Sequence, residues 1–313
     1  MNIVFIADPL ASFKIYKDTT FAMMREAQKR GHQLFVCEPH HLVWQSGQTV
    51  NAQVQQVHLT GHPDAWFEVH GVHADRALHG FDAVVMRKDP PFDSEYFYAT
   101  HLLEQAEREG AKVFNKPSAL RDHPEKLAIL EFAQFISPTL VTRDAQAIRA
   151  FHAVHRDIIL KPLDGMGGMG IFRVKDDALN LGAIIETLNR DGTQTVMVQK
   201  FLPAIAQGDK RVLVIGGKAV PFCLARIPQG GEVRGNLAAG GKGVAQAISA
   251  RDQEIADAIG PVLAARGLLL IGLDVIGDNL TEINVTSPTC FQEIYDQTGC
   301  DVAGLFMDAL ERA

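Results

Sequence analysis

The sequence predicts an α/β protein with more than one lobe, and three observations lead to this expectation. Its 313 residues suit two or three lobes better than a single core. Across residues 1–120, short apolar strands alternate with helical segments, the order of a parallel sheet covered by helices. Beyond residue 200 the strands come as hairpins, with turn residues at Gly216-Gly217 and at Gly277-Asp278-Asn279.

In the first lobe we expect helices near 18–31 and 94–110 and four strands: NIVFIA, HQLFVCE, DAVVMRK and AKVFNKP. No GxGxxG follows the first strand, so the sequence does not support dinucleotide binding. Ligands of such sheets lie at the carboxyl ends of the strands, where Lys17, Asp18, Arg87 and Asp89 are the candidate substrate-binding residues. The charged run before Pro90-Pro91 is equally typical of a stiff solvated turn.

Composition excludes several classes of function. Hydrophobic residues make up 47% of the chain and charged residues 21%, as in a well-packed globular protein. A net charge of −7 argues against a nucleic-acid partner or a membrane surface, and no apolar run is long enough to span a bilayer. The first strand resembles a buried strand more than a signal peptide. Four cysteines without CxxC spacing predict reduced thiols in a cytoplasmic enzyme and no structural zinc.

The second lobe, with predicted helices near 124–135, 144–155 and 178–190, carries a glycine-rich loop at 164–170. Glycines such as Gly165, Gly167 and Gly168 let backbone N–H groups approach phosphate oxygens, and Lys161 just before them supplies a positive charge. Strand residues on both sides of the loop predict a tight β-hairpin whose tip lies over a triphosphate. A plain hairpin turn is the alternative.

Two further segments of this lobe are weaker indications. Lys126 follows a proline near the start of a helix and, taken alone, is an ordinary exposed lysine. The run Gln199, Lys200, Phe201, Leu202 ends a strand before Pro203, where backbone groups could meet an adenine edge between apolar walls. Taken alone, it is only a strand end.

The hairpin around Gly216-Gly217 carries Arg211 and Arg226. A two-residue turn would place Arg211 opposite Phe222 and put both arginines on one face. Two guanidinium groups on an apolar hairpin suit bidentate binding of carboxylate or phosphate. Alternatively, both arginines are exposed.

The stretch LTEINVTSPT at 280–289 is the strongest indication of chemistry. Glu282 and Asn284 alternate onto one face of a strand, and a hairpin closed by residues 277–279 would set Asp274 opposite Glu282. Carboxylate and amide oxygens are ligands that Mg²⁺ accepts together with substrate phosphates. The alternative is a solvated strand with surface acids, but its flanks are apolar, and buried acids without a cation are costly.

Taken together, these motifs resemble the prokaryotic glutathione synthetases of the ATP-grasp superfamily along essentially the whole chain. The longer matching segments are MRKDPPFD, NKP, LKPLDGMGG, CLARIPQGGEVRGNLAAGG and LTEINVTSPT. The resemblance implies an ATP-grasp fold preceded by an N-terminal parallel α/β domain. The boundaries would be 1–120 for the N-terminal domain, 121–200 for the central lobe and 201–313 for the C-terminal lobe, with a lid at 228–243.

The same resemblance implies a ligase that joins γ-glutamylcysteine to glycine with ATP. Lys126 and Lys161 would contact nucleotide phosphates, residues 199–202 would hold the adenine, and Arg211 and Arg226 would face the reacting carboxylate. Arg234 in the lid would cover the intermediate, and Thr286 with Ser287 would receive the glycine carboxylate. Asp274, Glu282 and Asn284 would bind Mg²⁺, with Mn²⁺ as an alternative.

Three further expectations accompany this resemblance. The enzyme would be a homo-oligomer, a dimer or a tetramer, in the cytoplasm. Lys242 in the lid departs from the arginine of some relatives, which puts its role in doubt because lysine cannot make a bidentate contact. The alternatives are another ATP-grasp ligase, of the D-alanine–D-alanine or glutamate-adding type, and a non-catalytic nucleotide-binding protein resembling synapsins.

Overall fold

The computed structural model describes residues Met1–Ala313. Its first sheet has seven strands. The sequence predicted a parallel sheet, but the sheet is mixed. Its strands are β1 (Asn2–Ile6), β2 (Gln33–Cys37), β3 (Leu42–Val43), β4 (Asn51–Leu59), β5 (Phe67–Ala77), β6 (Ala83–Met86) and β7 (Val113–Phe114). Only β2, β1, β6 and β7 run parallel to one another. The strands β3, β4 and β5 add an antiparallel extension that the sequence analysis did not predict.

The helices of this lobe are α1 (Thr19–Lys29), α2 (Ser94–Arg108) and α3 (Pro117–Asp122). Aspartates cap the first two: Asp18 Oδ1 accepts the Phe21 N–H at 2.7 Å, and Asp93 Oδ1 accepts the Tyr96 N–H at 2.9 Å. Such caps satisfy N–H groups that have no partner inside the helix. Both predicted helices are therefore confirmed to within about two residues.

The second sheet has four strands, in the order β10-β9-β11-β8, and is covered by two helices. Its elements are β8 (Thr139–Thr142), α4 (Ala145–His155), β9 (Ile158–Pro162), β10 (Phe172–Val174), α5 (Leu181–Asn189) and β11 (Val196–Lys200). The predicted hairpin around the glycine loop is present as β9–β10, but residues 163–171 make it a long loop and not a tight turn. The helix predicted near 124–135 is instead a 3-10 segment, Ala128–Phe135, broken at Phe132.

The third sheet has five antiparallel strands. Its elements are β12 (Asp209–Ile215), β13 (Lys218–Ile227), β14 (Lys242–Ala247), α6 (Ala250–Ala265), β15 (Leu270–Ile276) and β16 (Asn279–Asn284), followed by α7 (Phe291–Thr298) and α8 (Val302–Arg312). The sequence analysis did not predict α7. None of the helices combines the length and the apolar character needed to cross a membrane.

A bulge in the β12–β13 hairpin corrects one predicted pairing. Val214 pairs with Ala219, whereas Val212 pairs with Cys223, so β13 contains two more residues than β12 between these pairs. Arg211 consequently lies opposite Leu224 and not opposite Phe222. Because side chains alternate with a period of two, a shift of two residues leaves Arg211 and Arg226 on the same face.

A second bulge sets the acidic pair on β15–β16. The turn has two residues, since Ile276 pairs with Asn279, and the expected three-residue turn is wrong. Thr281 is then an extra residue in β16, and beyond it Asp274 pairs with Glu282. The predicted pairing is confirmed, but it depends on the bulge at Thr281 and not on the turn.

The first and third sheets share a continuous apolar core of 39 buried residues that runs from Val4 to Val285. Asn115 ties the two lobes together: its Nδ2 donates to Leu270 O at 2.7 Å and to Val285 O at 2.8 Å, and its Oδ1 accepts the Leu270 N–H at 3.0 Å. Buried polar groups are retained when they are fully hydrogen-bonded. This contact places the segment after β16 beside the carboxyl edge of the first sheet.

Candidate active site

A cleft of about 290 Å³ lies between the second and third sheets. Most of the predicted site residues line it: Lys126, Lys161, Gly165, Gly167, Gly168, Gln199, Lys200, Phe201, Leu202, Arg211, Arg226, Arg234, Asp274, Glu282, Asn284, Asp89, Thr286 and Ser287. Three predicted substrate-binding residues, Lys17, Asp18 and Arg87, do not line it. Residues distant in sequence therefore meet around one cavity.

Two arginines and two aspartates form a buried ion cluster on the floor of the cleft. Asp274 accepts from Arg211 Nε at 2.5 Å and Nη2 at 3.1 Å, and from Arg226 Nη2 at 2.7 Å. Arg226 Nη2 also contacts Asp209 Oδ2 at 2.5 Å. Burial alone would raise the pKa of Asp274, but the two guanidinium groups hold it well below its usual range. The sequence analysis predicted both arginines and Asp274 but missed Asp209.

Asp209 is the less well compensated of the two aspartates in this cluster. Burial raises its pKa to about 6, and the negative charge of Asp274 opposes the effect of Arg226. Its second oxygen, Oδ1, is buried and has no hydrogen-bond partner. No motif marks Asp209 in the sequence, although it begins the strand that carries Arg211 and shares its face.

Lys126 and Lys161 approach strand β16, which carries Glu282 and Asn284, from the second lobe. Lys126 Nζ donates to Gly165 O at 2.5 Å and contacts Glu282 Oε1 at 3.0 Å. Lys161 Nζ donates to the carbonyl of Thr281, the bulge residue, at 3.1 Å. Burial lowers the pKa of Lys161, which has no carboxylate within ion-pair distance. Both ammonium groups thus lie where phosphate oxygens could take over as partners.

Residues 228–243, the segment predicted to be a lid, pack onto the glycine loop. A Cβ on Gly168, which has φ +84°, would lie 2.7 Å from Asn236 Oδ1, so only glycine fits at this contact. Arg234 Nε donates to Glu232 at 2.7 Å, and its Nη1 donates to Gly168 O at 3.3 Å. Within this segment, Leu237–Ala239 form a 3-10 turn, and β14 begins at Lys242.

The strand end at 199–202 forms an apolar wall of the cleft. Phe201 is buried under the guanidinium of Arg173, whose carbon lies 3.5 Å from the ring centre. The N–H groups of Lys200 and Phe201 donate to backbone carbonyls of the neighbouring chain segments. The Leu202 N–H is left as the free donor of this segment.

At the carboxyl edge of the first sheet, Ser287 Oγ donates to Asp89 Oδ1 at 2.5 Å. Arg87 is buried behind this pair and donates to Thr20 Oγ1 at 3.0 Å and to Pro288 O at 3.1 Å. Burial lowers the pKa of Arg87, and its Nη1 has no partner. In this structure Arg87 holds the 286–290 segment in place, and its predicted contact with substrate stays a prediction.

Glu125 is a cleft residue that the sequence analysis missed. Its Oε1 accepts from the Val285 N–H at 2.9 Å, the Thr286 N–H at 3.1 Å and Thr286 Oγ1 at 2.9 Å. Burial and the nearby Glu282 raise its pKa. The only indication in the sequence was its place directly before Lys126.

Asp274, Glu282 and Asn284, the residues predicted to bind a metal, suit a cation that takes some of its ligands from phosphate and water. Asn284 Nδ2 donates to Gly272 O at 3.2 Å, which leaves its Oδ1 available next to Glu282 and Asp274. No three His, Cys, Asp or Glu side chains lie close enough to hold a metal among themselves. This suits Mg²⁺, which binds through one or two carboxylates and completes its shell with phosphate oxygens and water.

Comparison with known proteins identifies the family. Residues 1–121 match the N-terminal domain of prokaryotic glutathione synthetase, and residues 125–299 match its ATP-grasp domain. The chain belongs to the prokaryotic glutathione synthetase family. It is 62% identical to the glutathione synthetase of Ralstonia nicotianae over 313 residues, which covers 100% of this chain and 96% of the relative. It is 58% identical to that of Nitrosomonas europaea, covering 100% and 98%.

Solved structures of low sequence identity have the same fold. The ATP-grasp ligase PsnB aligns with a TM-score of 0.64 at 23% identity, over 99% of this chain and 98% of that one. The D-cycloserine synthetase DcsG aligns with a TM-score of 0.67 at 16% identity, over 99% of both chains. The predicted ATP-grasp fold with a preceding N-terminal domain is therefore confirmed for this glutathione synthetase family member.

Proposed function

We propose that this cleft joins γ-glutamylcysteine to glycine while ATP is hydrolysed to ADP and phosphate, through an acyl phosphate. Membership of the glutathione synthetase family supports this activity. The observation that carries the residue assignment is the Arg211–Arg226–Asp274 cluster, which presents two buried guanidinium groups beside an acidic strand and opposite the glycine loop. Guanidinium groups suit the planar oxygens of a carboxylate and its phosphorylated form.

The chemistry needs positioning and charge neutralisation and no enzyme nucleophile. An oxygen of the cysteinyl carboxylate attacks the γ-phosphorus, and the bond to ADP breaks. The glycine amine then attacks the acyl carbon, loses a proton and displaces phosphate with the electrons of the C–O bond. Lys126 and Lys161 offset phosphate charge, while Arg211 and Arg226 offset the charge on the reacting carboxylate and acyl phosphate. The Leu202 N–H and Phe201 receive the adenine.

Asp274, Glu282 and Asn284 would hold Mg²⁺, with Mn²⁺ as an alternative. When bound, the ion would neutralise and orient the β- and γ-phosphates. Thr286 and Ser287 would receive the glycine carboxylate, and Lys17, Asp18, Arg87 and Asp89 would lie on the γ-glutamyl side. We further propose a cytoplasmic homo-oligomer, a dimer or a tetramer; the four free cysteines agree with a reducing compartment.

Residues 228–243 act as a lid in this proposal, within domains at 1–120, 121–200 and 201–313. Excluding water protects the acyl phosphate from hydrolysis. Arg234 would move from Glu232 and Gly168 onto the anionic intermediate, so an ATP analogue with γ-glutamylcysteine should strongly slow tryptic cleavage after Arg234. Cleavage after Lys218, on the exposed part of β13, serves as the control. Equal cleavage after Arg234 with and without ligands would contradict the lid.

Phosphate release with each substrate omitted in turn tests the function. We expect full release only with ATP, γ-glutamylcysteine and glycine together. Release with D-alanine, or with a peptide ending in glutamate, in place of the natural pair would favour the other ATP-grasp ligases, and no release with any pair would favour a nucleotide-binding protein. The full-length similarity to glutathione synthetases favours neither alternative.

A further inference from the structure

Glu125 is an acid on the cleft wall whose carboxylate forms no ion pair with a lysine or arginine of the protein. Asp274 faces two arginines, Glu282 contacts Lys126, and Asp209 contacts Arg226. All three donors to Glu125 are neutral, two backbone N–H groups and one hydroxyl. A half-buried carboxylate held only by neutral donors can accept a positive partner from outside the protein.

The two oxygens of Glu125 have different surroundings. Oε1 accepts all three hydrogen bonds, from Val285 and Thr286. Oε2 accepts no hydrogen bond. It is not fully enclosed by protein atoms, and Glu125 lines the cleft. The backbone oxygen of Glu125 also accepts the Ile283 N–H at 3.0 Å. The side chain is therefore held rigidly while one charged oxygen faces the cavity.

We propose that Glu125 Oε2 binds the ammonium group of the incoming amine substrate, an inference that rests on the ligation proposed above. The hydrogen bonds to Val285 and Thr286 place this oxygen next to the segment proposed to receive the glycine carboxylate. An amino acid as small as glycine presents its two charged groups two bonds apart, so the sites for both must be neighbours. Because Thr286 donates both its N–H and its Oγ1 to Glu125, it fixes this acid beside Ser287, where the glycine carboxylate would lie.

Burial and the charge of Glu282 raise the pKa of Glu125, while the hydrogen bonds from Thr286 and Val285 lower it, and a bound ammonium group would favour the ionised form. Two other cations could occupy the position. One is the metal and the other is the α-ammonium of γ-glutamylcysteine. Asp89, hydrogen-bonded to Ser287 at the far edge of the cleft, is the nearer acid for the γ-glutamyl side.

The test is the Glu125→Gln variant. The glutamine oxygen can keep the three hydrogen bonds of Oε1, so the fold and the melting temperature should be retained. Losing one charge-assisted contact should raise the KM for glycine about tenfold to a hundredfold, with the KM values for ATP and γ-glutamylcysteine nearly unchanged. Glu107→Gln, which removes a half-buried carboxylate on α2 away from the cleft, is the matched control and should leave all three values unchanged.

Hydroxylamine separates this inference from the proposed function. It is uncharged near neutral pH and traps acyl phosphates, so Glu125→Gln should form the hydroxamate of γ-glutamylcysteine as fast as the unmodified enzyme does. If the unmodified enzyme forms none, the proposed function fails whatever Glu125 does. An unchanged KM for glycine overturns the assignment to Glu125, and so does a shift confined to γ-glutamylcysteine or to Mg²⁺ activation. Loss of hydroxamate formation together with a lower melting temperature would overturn it in favour of a structural role.

Discussion

Replacing Asp274 by Asn should destabilise the ligand-free protein far more than replacing Asp209 by Asn. Both changes remove one negative charge from the same buried cluster of two acids and two arginines. Asp274→Asn disturbs three contacts with guanidinium groups, whereas Asp209→Asn disturbs one side-chain contact and keeps the bond from Arg226 Nε to the Asp209 carbonyl.

The expected magnitudes differ accordingly. Breaking a buried ion pair costs about 3–5 kcal/mol, which we expect for Asp274→Asn. Asp209 has its pKa raised from 3.8 to about 6, so holding it ionised at pH 7 costs roughly 3 kcal/mol. That cost already includes the attraction to Arg226, and a neutral Asn does not incur it. Asp209→Asn should therefore lower the free energy of unfolding by less than about 2 kcal/mol at pH 7.

Urea unfolding of both variants at pH 7 and pH 5, followed by circular dichroism, measures this difference. A carboxyl with a raised pKa stabilises the fold when protonated, and this contribution is lost as the pH rises through about 6. Between pH 7 and pH 5 the unmodified protein should therefore gain about 1 kcal/mol over Asp209→Asn. Equal losses of stability in the two variants at pH 7 would refute this account of the cluster. So would a stability difference between the unmodified protein and Asp209→Asn that does not change with pH.

Three further predictions concern single residues. Glu282→Gln should keep the fold but lower kcat about a hundredfold or more, because a charge at the metal site is lost; near-normal turnover at saturating Mg²⁺ would remove Glu282 from that site. Lys161→Ala should raise the KM for ATP and leave the ligand-free melting temperature almost unchanged, since Lys161 contacts only the Thr281 carbonyl; a large fall in melting temperature would show a structural lysine. Iodoacetamide at pH 8 should alkylate the half-buried Cys300 first, while Cys37, buried and with its pKa raised to about 12, should react only after unfolding; mass spectrometry of the labelled peptides would reveal the opposite order.

Local patterns predicted the parts of the site that lie on strands with regular alternation. Glu282 and Asn284 share a face because they are two residues apart, and both arginines kept their common face despite the bulge. The glycine loop was recognisable because its composition is unusual. These features depend on neighbours in sequence, and such neighbours are visible without a structure.

What could not be predicted depends on partners far apart in the chain. Glu125 is a cleft residue because its side chain meets Val285 and Thr286, 160 and 161 positions away. The strand β5 was missed because its side chains are mostly exposed and lack the alternation of a half-buried strand. The bulges are tertiary features as well, and the β12–β13 bulge made the predicted partner of Arg211 wrong.

The bulge at Thr281 makes chain length, and not only residue type, part of the geometry of the site. Thr281 contributes its position, its carbonyl and a hydrogen bond from its Oγ1 to Asp274 O at 3.1 Å, so Ser could replace it with all three retained, whereas Val would lose the hydroxyl bond. Deleting it would remove the bulge together with the carbonyl that accepts from Lys161, while Glu282 would still pair with Asp274 in a regular hairpin. In the β12–β13 hairpin a gain or loss of two residues preserves the arginine face, whereas a change of one reverses it. Outside such a bulge, an even change in strand length therefore preserves the face of the site residues and an odd change reverses it, which residue identity alone does not reveal.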